Sequence, residues 1–330
     1  MSANLIEVRN LSKYFPMPGK RQLRAVDHVS LDVVDGEVLG LVGESGSGKS
    51  TFGKALIGLH DKTTGTVRFR GELLPAHYAP RDFQRLAQSM QMIFQDPYSS
   101  LNPRMTVAEI IGEGLRLHTR LSSGETHAKV QQMLERVGLS GDHGGRYAHE
   151  FSGGQRQRIG IARALIMGPQ FIVCDEPISA LDVSVQAQIV NLLGELKRAL
   201  GLTLLFIAHD LAMVRYVSDR MAVMYLGTIV EVGPADDVFF APKHPYTQLL
   251  IASNPEPEPG TERLRRHAPL SGEIPSPVDI PPGCRFAGRC PKVMPRCNAE
   301  APVLLPVANS AQAVACHLYD AGDTQTRRGQ

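Results

Sequence analysis

The sequence predicts an α/β protein built on a mostly parallel sheet, and three observations carry that expectation. Phe171–Cys174 and Thr203–Ala208 are continuous apolar runs, the pattern of strands buried on both faces. Apolar residues recur at helical spacing at Val130, Met133, Leu134 and Val137, and again at Val185, Ile189, Leu192, Leu193, Leu196 and Leu200. A glycine-rich loop, Gly43–Ser50, separates the short apolar run Val38–Val42 from the helix-like Thr51–Leu59. Strands that alternate with helices build a parallel sheet with helices packed on it. Further along, Thr66–Arg70 alternates, with Val67 and Phe69 on one face. Arg156–Met167 reads as a helix. Met221–Tyr225 and Thr228–Val232 straddle Leu226-Gly227 and read as a hairpin. Residues 254–283 are Pro-rich and predicted irregular. No internal repeat or low-complexity block is present.

Length and composition bound the function. A chain of 330 residues allows two or three domains and a sizeable core. With 43% hydrophobic and 21% charged residues, neither disorder nor an integral membrane protein is expected. No apolar run reaches the ~18 residues a spanning helix needs. The most apolar late stretch, Ala301–Cys316, is broken by Pro302, Pro306, Asn309 and Gln312. The first residues lack the basic-then-apolar layout of a signal peptide, so a cytosolic chain is expected. In that reducing setting its 5 Cys are not expected to form disulfides. A net charge of +2 gives no bulk electrostatic case for binding nucleic acid. Composition shifts near residue 250, after which prolines crowd and Cys284, Cys290, Cys297 and Cys316 all fall. Two regions follow, 1–250 and 251–330.

The glycine loop carries the chemistry. Gly43-Glu44-Ser45-Gly46-Ser47-Gly48-Lys49-Ser50 fits G-x-x-x-x-G-K-[ST], with a strand before it and a helix starting at Thr51. The glycines let backbone N–H groups wrap phosphate oxygens, and the helix N-terminus behind them favours negative charge. Lys49 is expected to reach the β- and γ-phosphates of ATP and Ser50 to coordinate Mg²⁺. The strand Phe171–Cys174 ends in Asp175 and Glu176, at the C-terminal end where ligands of α/β sheets bind. Asp175 is expected to hold Mg²⁺ and Glu176 to polarise the attacking water. Cys174 reads as a small buried strand residue.

Further segments appear in one order along residues 1–250: Gln95, Phe151-Ser152-Gly153-Gly154-Gln155, Ser179–Asp182, and His209 after an apolar strand. Together with the phosphate loop they resemble the ATP-binding-cassette (ABC) ATPases, with Phe151 where the family's signature has leucine. The resemblance implies a P-loop ABC nucleotide-binding domain: a RecA-like core, an antiparallel β subdomain, and a helical subdomain at about 96–158. It implies that Gln95 senses Mg²⁺ and the attacking water, that His209 contacts the γ-phosphate, and that Asp182 belongs to the D-loop. It also implies that Ser152, Gly153, Gly154 and Gln155 face ATP held by a second cassette. The adenine is expected to stack on Phe15 in preference to Tyr14.

A narrower likeness covers nearly the whole chain. Phe94–Thr106, His149–Arg158, Cys174–Gln188, His244-Pro-Tyr-Thr247 and the cysteine tail are similar to ATPase subunits of dipeptide/oligopeptide importers. That resemblance implies ATP-driven uptake on the cytoplasmic face of the inner membrane, as a peripheral subunit. The implied partners are two permease subunits contacted by Asp96–Met105, an external solute-binding protein, and a second ATPase subunit, preferred here as a different chain. Nickel chelates and glutathione are alternative solutes. A soluble ABC ATPase acting on DNA or the ribosome would usually carry two cassettes or a long coiled coil, and neither is seen. A module that binds without hydrolysis is at odds with Glu176 and His209.

The tail spacing Cys284-x5-Cys290-x6-Cys297-x18-Cys316 matches neither a zinc ribbon nor the compact ferredoxin run. Four thiolates suit both iron–sulfur and tetrahedral Zn²⁺. The importer resemblance implies a [4Fe–4S] cluster, with Zn²⁺ or unliganded thiols as the alternatives, and a metal would have a structural role in a tail poor in large apolar residues. His317 is read as solvent-facing and left out of the ligand set.

Overall fold

The computed structural model describes residues 3–179, 181–253 and 276–320. Strands β1 (Asn4–Pro16) and β2 (Gln22–Val34) form a long antiparallel pair. β3 (Val38–Val42) leads through the glycine loop into α1 (Lys49–Leu56). β4 (Thr64–Phe69) and β5 (Glu72–Leu73) complete a four-stranded sheet, β2-β1-β4-β5. Next come α2 (Pro80–Leu86), β6 (Met90–Ile93) and the helices α3 (Pro97–Ser100), α4 (Val107–His118), α5 (Ser123–Arg136) and α6 (Gly153–Leu165). The core resumes with β7 (Phe171–Asp175), α7 (Val183–Leu200), β8 (Thr203–Ile207), α8 (Leu211–Val217), β9 (Arg220–Tyr225) and β10 (Thr228–Pro234). α9 (Ala235–Phe240), α10 (Pro245–Ala252), α11 (Pro295–Ala299), β11 (Leu305–Pro306) and β12 (Ala313–Val314) follow. No described helix is long and apolar enough to cross a membrane.

The main sheet runs β11-β12-β10-β9-β3-β8-β7-β6, with β9, β3, β8, β7 and β6 parallel. It lies between two apolar cores, which explains the unbroken apolar runs. Leu39, Leu41, Phe171, Val173, Leu205 and Ile207 face the core shared with the four-stranded sheet and α1. Val38, Val42, Ile172, Cys174, Leu204 and Phe206 face the opposite core, shared with α4 to α10. Polar residues on either set would lose burial worth about 1.5–3 kcal/mol per large side chain. Gly40 is needed on that second face, because a Cβ there would overlap Val214 of α8.

The expected strands and helices appear within a few residues of their predicted limits, the β9–β10 hairpin among them. Residues 276–283 carry no helix or strand, as expected, while 254–275 lie outside the described residues. The tail does not stand apart from the cassette. β12 pairs with β10, so its last strands extend the cassette's own sheet. Phe286 is 1% exposed within the larger core, and Cys284 and Cys290 pack against it.

Candidate nucleotide site

The parallel strands point their C-terminal ends at one place. β3 delivers the glycine loop, β7 delivers Asp175 and Glu176, β8 delivers His209, and β6 delivers Gln95. The loop is fixed by close backbone approaches. A Cβ on Gly43 would overlap the Met224 carbonyl, and one on Gly48, at φ +104°, would overlap the Ala25 carbonyl. Gly43→Ala should therefore abolish MgATP binding while the purified chain keeps most of its helix content, read by equilibrium binding and circular dichroism. Ser45 and Gly46 are exposed at the crest of the loop, and Ser47 is buried beneath it.

Lys49 is 4% exposed, and its Nζ donates to the carbonyls of Gly43 at 2.8 Å and Glu44 at 2.9 Å. Burial pulls the Lys49 ammonium below its ordinary range, and the charges of Glu176, Asp175 and Glu44 oppose that shift. Ser50 Oγ donates to Asp175 Oδ1 at 2.6 Å, so the two residues expected to share Mg²⁺ are in direct contact. Gln95 Nε2 donates to Glu176 Oε2 at 3.0 Å, and His209 Nδ1 lies 3.7 Å from the same oxygen. Glu176 has φ +45°, a left-handed backbone held by its N–H donating to Ile207 O at 2.9 Å. Such strain in a non-glycine residue costs on the order of 1 kcal/mol and collects at functional sites.

The signature lies elsewhere. Ser152 is an exposed N-cap of α6: its Oγ accepts from Gln155 N, and its N–H donates to Gln155 Oε1 at 3.0 Å. Its described hydrogen bonds reach no residue of the phosphate loop. Gly153 lies beside the Tyr98 hydroxyl, and Gly154 faces Val185 so closely that a Cβ would overlap it. Asp182 is exposed at the N-terminus of α7. Tyr14 donates its hydroxyl to Asp27, whereas Phe15 makes an edge contact with His60 at 5.5 Å and lies under Lys13. Phe15 thus has no hydrogen-bonding group of its own to tie it down, while the Lys13 ammonium sits 4.9 Å from its ring centre.

The four tail cysteines line a single small cavity. Burial raises the Cys284 and Cys290 thiols and pushes Cys316 up to about 11. Among the described residues, no group of three or more His, Cys, Asp or Glu side chains is placed to hold a metal ion. His317 corrects the sequence reading. It is 3% exposed, with Nδ1 facing Asp320 Oδ2 at 2.9 Å and Nε2 facing Glu300 O at 2.9 Å. The folded tail buries it, which its place beside Cys316 did not reveal.

Sequence reasoning missed several residues that shape the site. Arg289 of the tail forks onto Glu44 of the phosphate loop. Tyr246 accepts a hydrogen bond from Glu44 N at 2.9 Å. Arg163 of α6 donates to Ser100 O at 2.6 Å, and Arg156 stacks over Tyr98 at 4.1 Å. The two arginines tie the segment after Gln95 to the signature helix. Arginines at i and i+7 of one helix share a face, a signal available but not specific.

Residues 26–179 match the ABC transporter family, and residues 230–297 match the family described as the C-terminal region of oligopeptide/dipeptide transporters. The second match takes in Cys284, Cys290 and Cys297. The putative oligopeptide transport ATP-binding protein YkfD of Bacillus subtilis is 51% identical over 324 residues, covering 98% of each chain. The oligopeptide transport ATP-binding protein OppF of Salmonella typhimurium is 50% identical over 325 residues, covering 96% of each. The chain belongs to the ATP-binding proteins of oligopeptide ABC transporters. As an ABC ATP-binding protein of this family it is an ATPase coupled to transport. The dimeric cassette MJ0796, solved in a post-hydrolysis state bound to ADP and Pi, is 27% identical with a TM-score of 0.64. It covers 70% of this chain and 98% of its own.

Proposed function

We propose that the chain hydrolyses ATP on the cytoplasmic face of the membrane to drive oligopeptide uptake through two permease subunits, fed by an external solute-binding protein. The observation that carries the reading is the convergence of Lys49, Ser50, Asp175, Glu176, Gln95 and His209 on one end of the sheet, in a chain about half identical to oligopeptide transport ATPases. The cassette is taken as residues 1–250, its helical subdomain as about 96–158, and the tail as 251–330.

In this reading the loop from Gly43 to Thr51 cradles the ATP phosphates, and Lys49 exchanges the Gly43 and Glu44 carbonyls for phosphate oxygens. Ser50 and Asp175, already in contact, hold Mg²⁺, with Gln95 near the ion and the water. Glu176 takes a proton from water as it attacks the γ-phosphorus, and ADP leaves with the electrons of the broken bond. His209 steadies the γ-phosphate, and the adenine stacks on Phe15. The exposed Ser152, with Gly153, Gly154, Gln155 and Asp182, completes the phosphate site of a second ATPase subunit, preferred as a different chain. ATP then joins the two, and hydrolysis releases them.

An apolar groove supports the permease partners. It runs beside Phe94 between α2 and α4, and Leu59, Phe83 and Leu117 line it while 46%, 38% and 73% exposed. Exposed apolar surface of that kind marks a contact site. Arg163 also lines it and holds Ser100, which links the groove to the expected coupling segment Asp96–Met105. Reconstituted with its permeases and binding protein in vesicles, the wild type should couple ATP hydrolysis to peptide uptake. Leu117→Asp should cut uptake about tenfold or more while MgATP affinity of the isolated chain stays within about twofold. Equal uptake by both would remove the groove from the assignment.

In the same reading the tail carries a sulfur-ligated group. Cys284, Cys290, Cys297 and Cys316 line one cavity, and the nitrogens of the neighbouring His317 are engaged. One Zn²⁺ with Zn–S distances of about 2.3 Å would need the sulfurs within about 4 Å of one another. The donor set, four cysteines on one cavity, supports a [4Fe–4S] cluster, with Zn²⁺ as the alternative. Such a group would be held by these four cysteines and would cross-link the tail through them. Backbone contacts already join two of the cysteines: Cys284 N donates to Cys297 O at 2.7 Å, while Lys292 N donates locally to Cys290 Sγ at 3.4 Å.

A further inference from the structure

Glu44 raises an electrostatic problem. It is the second residue of the phosphate loop, and its carboxylate acts on the Lys49 ammonium. A carboxylate beside the seat of a polyphosphate repels it, most strongly where burial lowers the local dielectric. The tail answers that charge. Arg289 Nη1 and Nη2 donate to Glu44 Oε2 and Oε1 at 2.8 and 2.9 Å, a fork across 245 positions of chain. The two side chains are only 4% and 16% exposed, so solvent screens the pair little. Arg289 also donates to the Tyr225 hydroxyl at 3.3 Å and lies over the Phe286 ring. The fork is rigid and planar, which suits holding a carboxylate in one orientation.

We propose that Arg289 is a positioning residue for the nucleotide site: it neutralises Glu44 and turns its carboxylate away from the phosphates, so that ATP affinity depends on the docked tail. The inference rests on the phosphate loop being the nucleotide site. A purely structural clasp would make the same contacts, but it would not make the sign of the Glu44 charge matter. The same geometry couples the cysteine cavity to the loop, because Phe286 lines that cavity and packs on Tyr225 and Tyr246, while Tyr246 holds Glu44 N.

The test is equilibrium binding of MgATP and of AMP to the full chain and its variants. Arg289→Gln should weaken MgATP about tenfold and AMP less than about threefold, because AMP places fewer charges near Glu44. Adding Glu44→Gln to Arg289→Gln should return MgATP affinity to within about threefold of wild type. Arg289→Lys, which keeps the charge without the fork, should fall between wild type and Arg289→Gln. If Arg289→Gln does not fold, the double variant and Arg289→Lys carry the comparison. Unchanged affinity in Arg289→Gln overturns the proposal. So does a double variant as weak as the single one, or a loss in Arg289→Lys as large as a neutral side chain gives. A wild type that binds no MgATP would instead refute the phosphate-loop assignment.

Discussion

Glu176→Gln should abolish ATP turnover while ATP still binds. Gln keeps the volume of Glu and can still meet Gln95 and His209, whose nitrogens lie 3.0 and 3.7 Å from Glu176 Oε2. It cannot take a proton from water, and it brings no negative charge to orient one. General-base catalysis is worth about 10²–10⁴-fold, so kcat should fall by that factor. The phosphate contacts are proposed to come from the glycine loop, Lys49 and Ser50, which the change does not touch. MgATP affinity should therefore stay within about threefold. Because ATP is proposed to join two cassettes and hydrolysis to part them, the variant should accumulate as an ATP-bound pair. Phosphate release and size-exclusion chromatography with MgATP read both effects, with the second ATPase subunit added if the chain alone stays single. Full hydrolysis by Glu176→Gln would remove it as the base and turn attention to His209. The strained φ of +45° at Glu176 gives a reason to expect the larger end of the range. The fold holds this backbone in an unfavourable region, and that aims the carboxylate.

Much of this site is legible in the sequence because each part is local. A glycine loop between a strand and a helix and two carboxylates after an apolar strand are read within a dozen residues. The sheet between two cores writes its own pattern, since β3, β7 and β8 bury both faces and stay apolar between their ends, with only Thr203 at the start of β8 and Asp175 at the end of β7 polar. The N-terminal pair β1 and β2 is less legible. Their register shifts repeatedly, and Asn10 and His28 sit at φ +49° and +53°, so the alternation that marks a strand slips out of phase. The site's long-range parts leave no local trace. Arg289 and Glu44 are 245 positions apart, and a lone arginine before a cysteine reads as a solvated charge. His317 reads as exposed because the residues that cover it, Glu300 and Asp320, follow from how the tail folds back. Composition places a boundary near residue 250. It does not reveal that β12 joins β10, because two-residue strands carry no periodicity.

If the tail carries the proposed sulfur-ligated group, Cys284→Ser should strip it and loosen the tail's hold on the cassette. Purified without oxygen, the wild type should carry about four iron and about four acid-labile sulfide per chain, and the variant should carry neither. Serine is nearly isosteric but ligates iron and zinc poorly, so the loss would follow from the donor atom and not from packing. Zinc near one per chain, with no sulfide, would identify the alternative group and leave the tail a plain staple. The consequences should reach the nucleotide site. Cys284 lies next to Arg285, which is bonded to Asp27 and the Leu226 carbonyl, and its N–H donates to Cys297 O. Phe286 follows, wedged between Tyr225 and Tyr246 with ring centroids 5.3 and 5.4 Å away. If the group fixes this stretch, losing it frees Arg289 as well, and MgATP affinity should drop toward that of Arg289→Gln. Limited proteolysis should then cut the variant in the tail before the cassette. A variant that loses its iron yet keeps both affinity and protease resistance would show that Phe286 and the β10–β12 pairing hold the tail unaided. The cysteines would then answer to some need other than stability, and redox sensing would be the next reading to test.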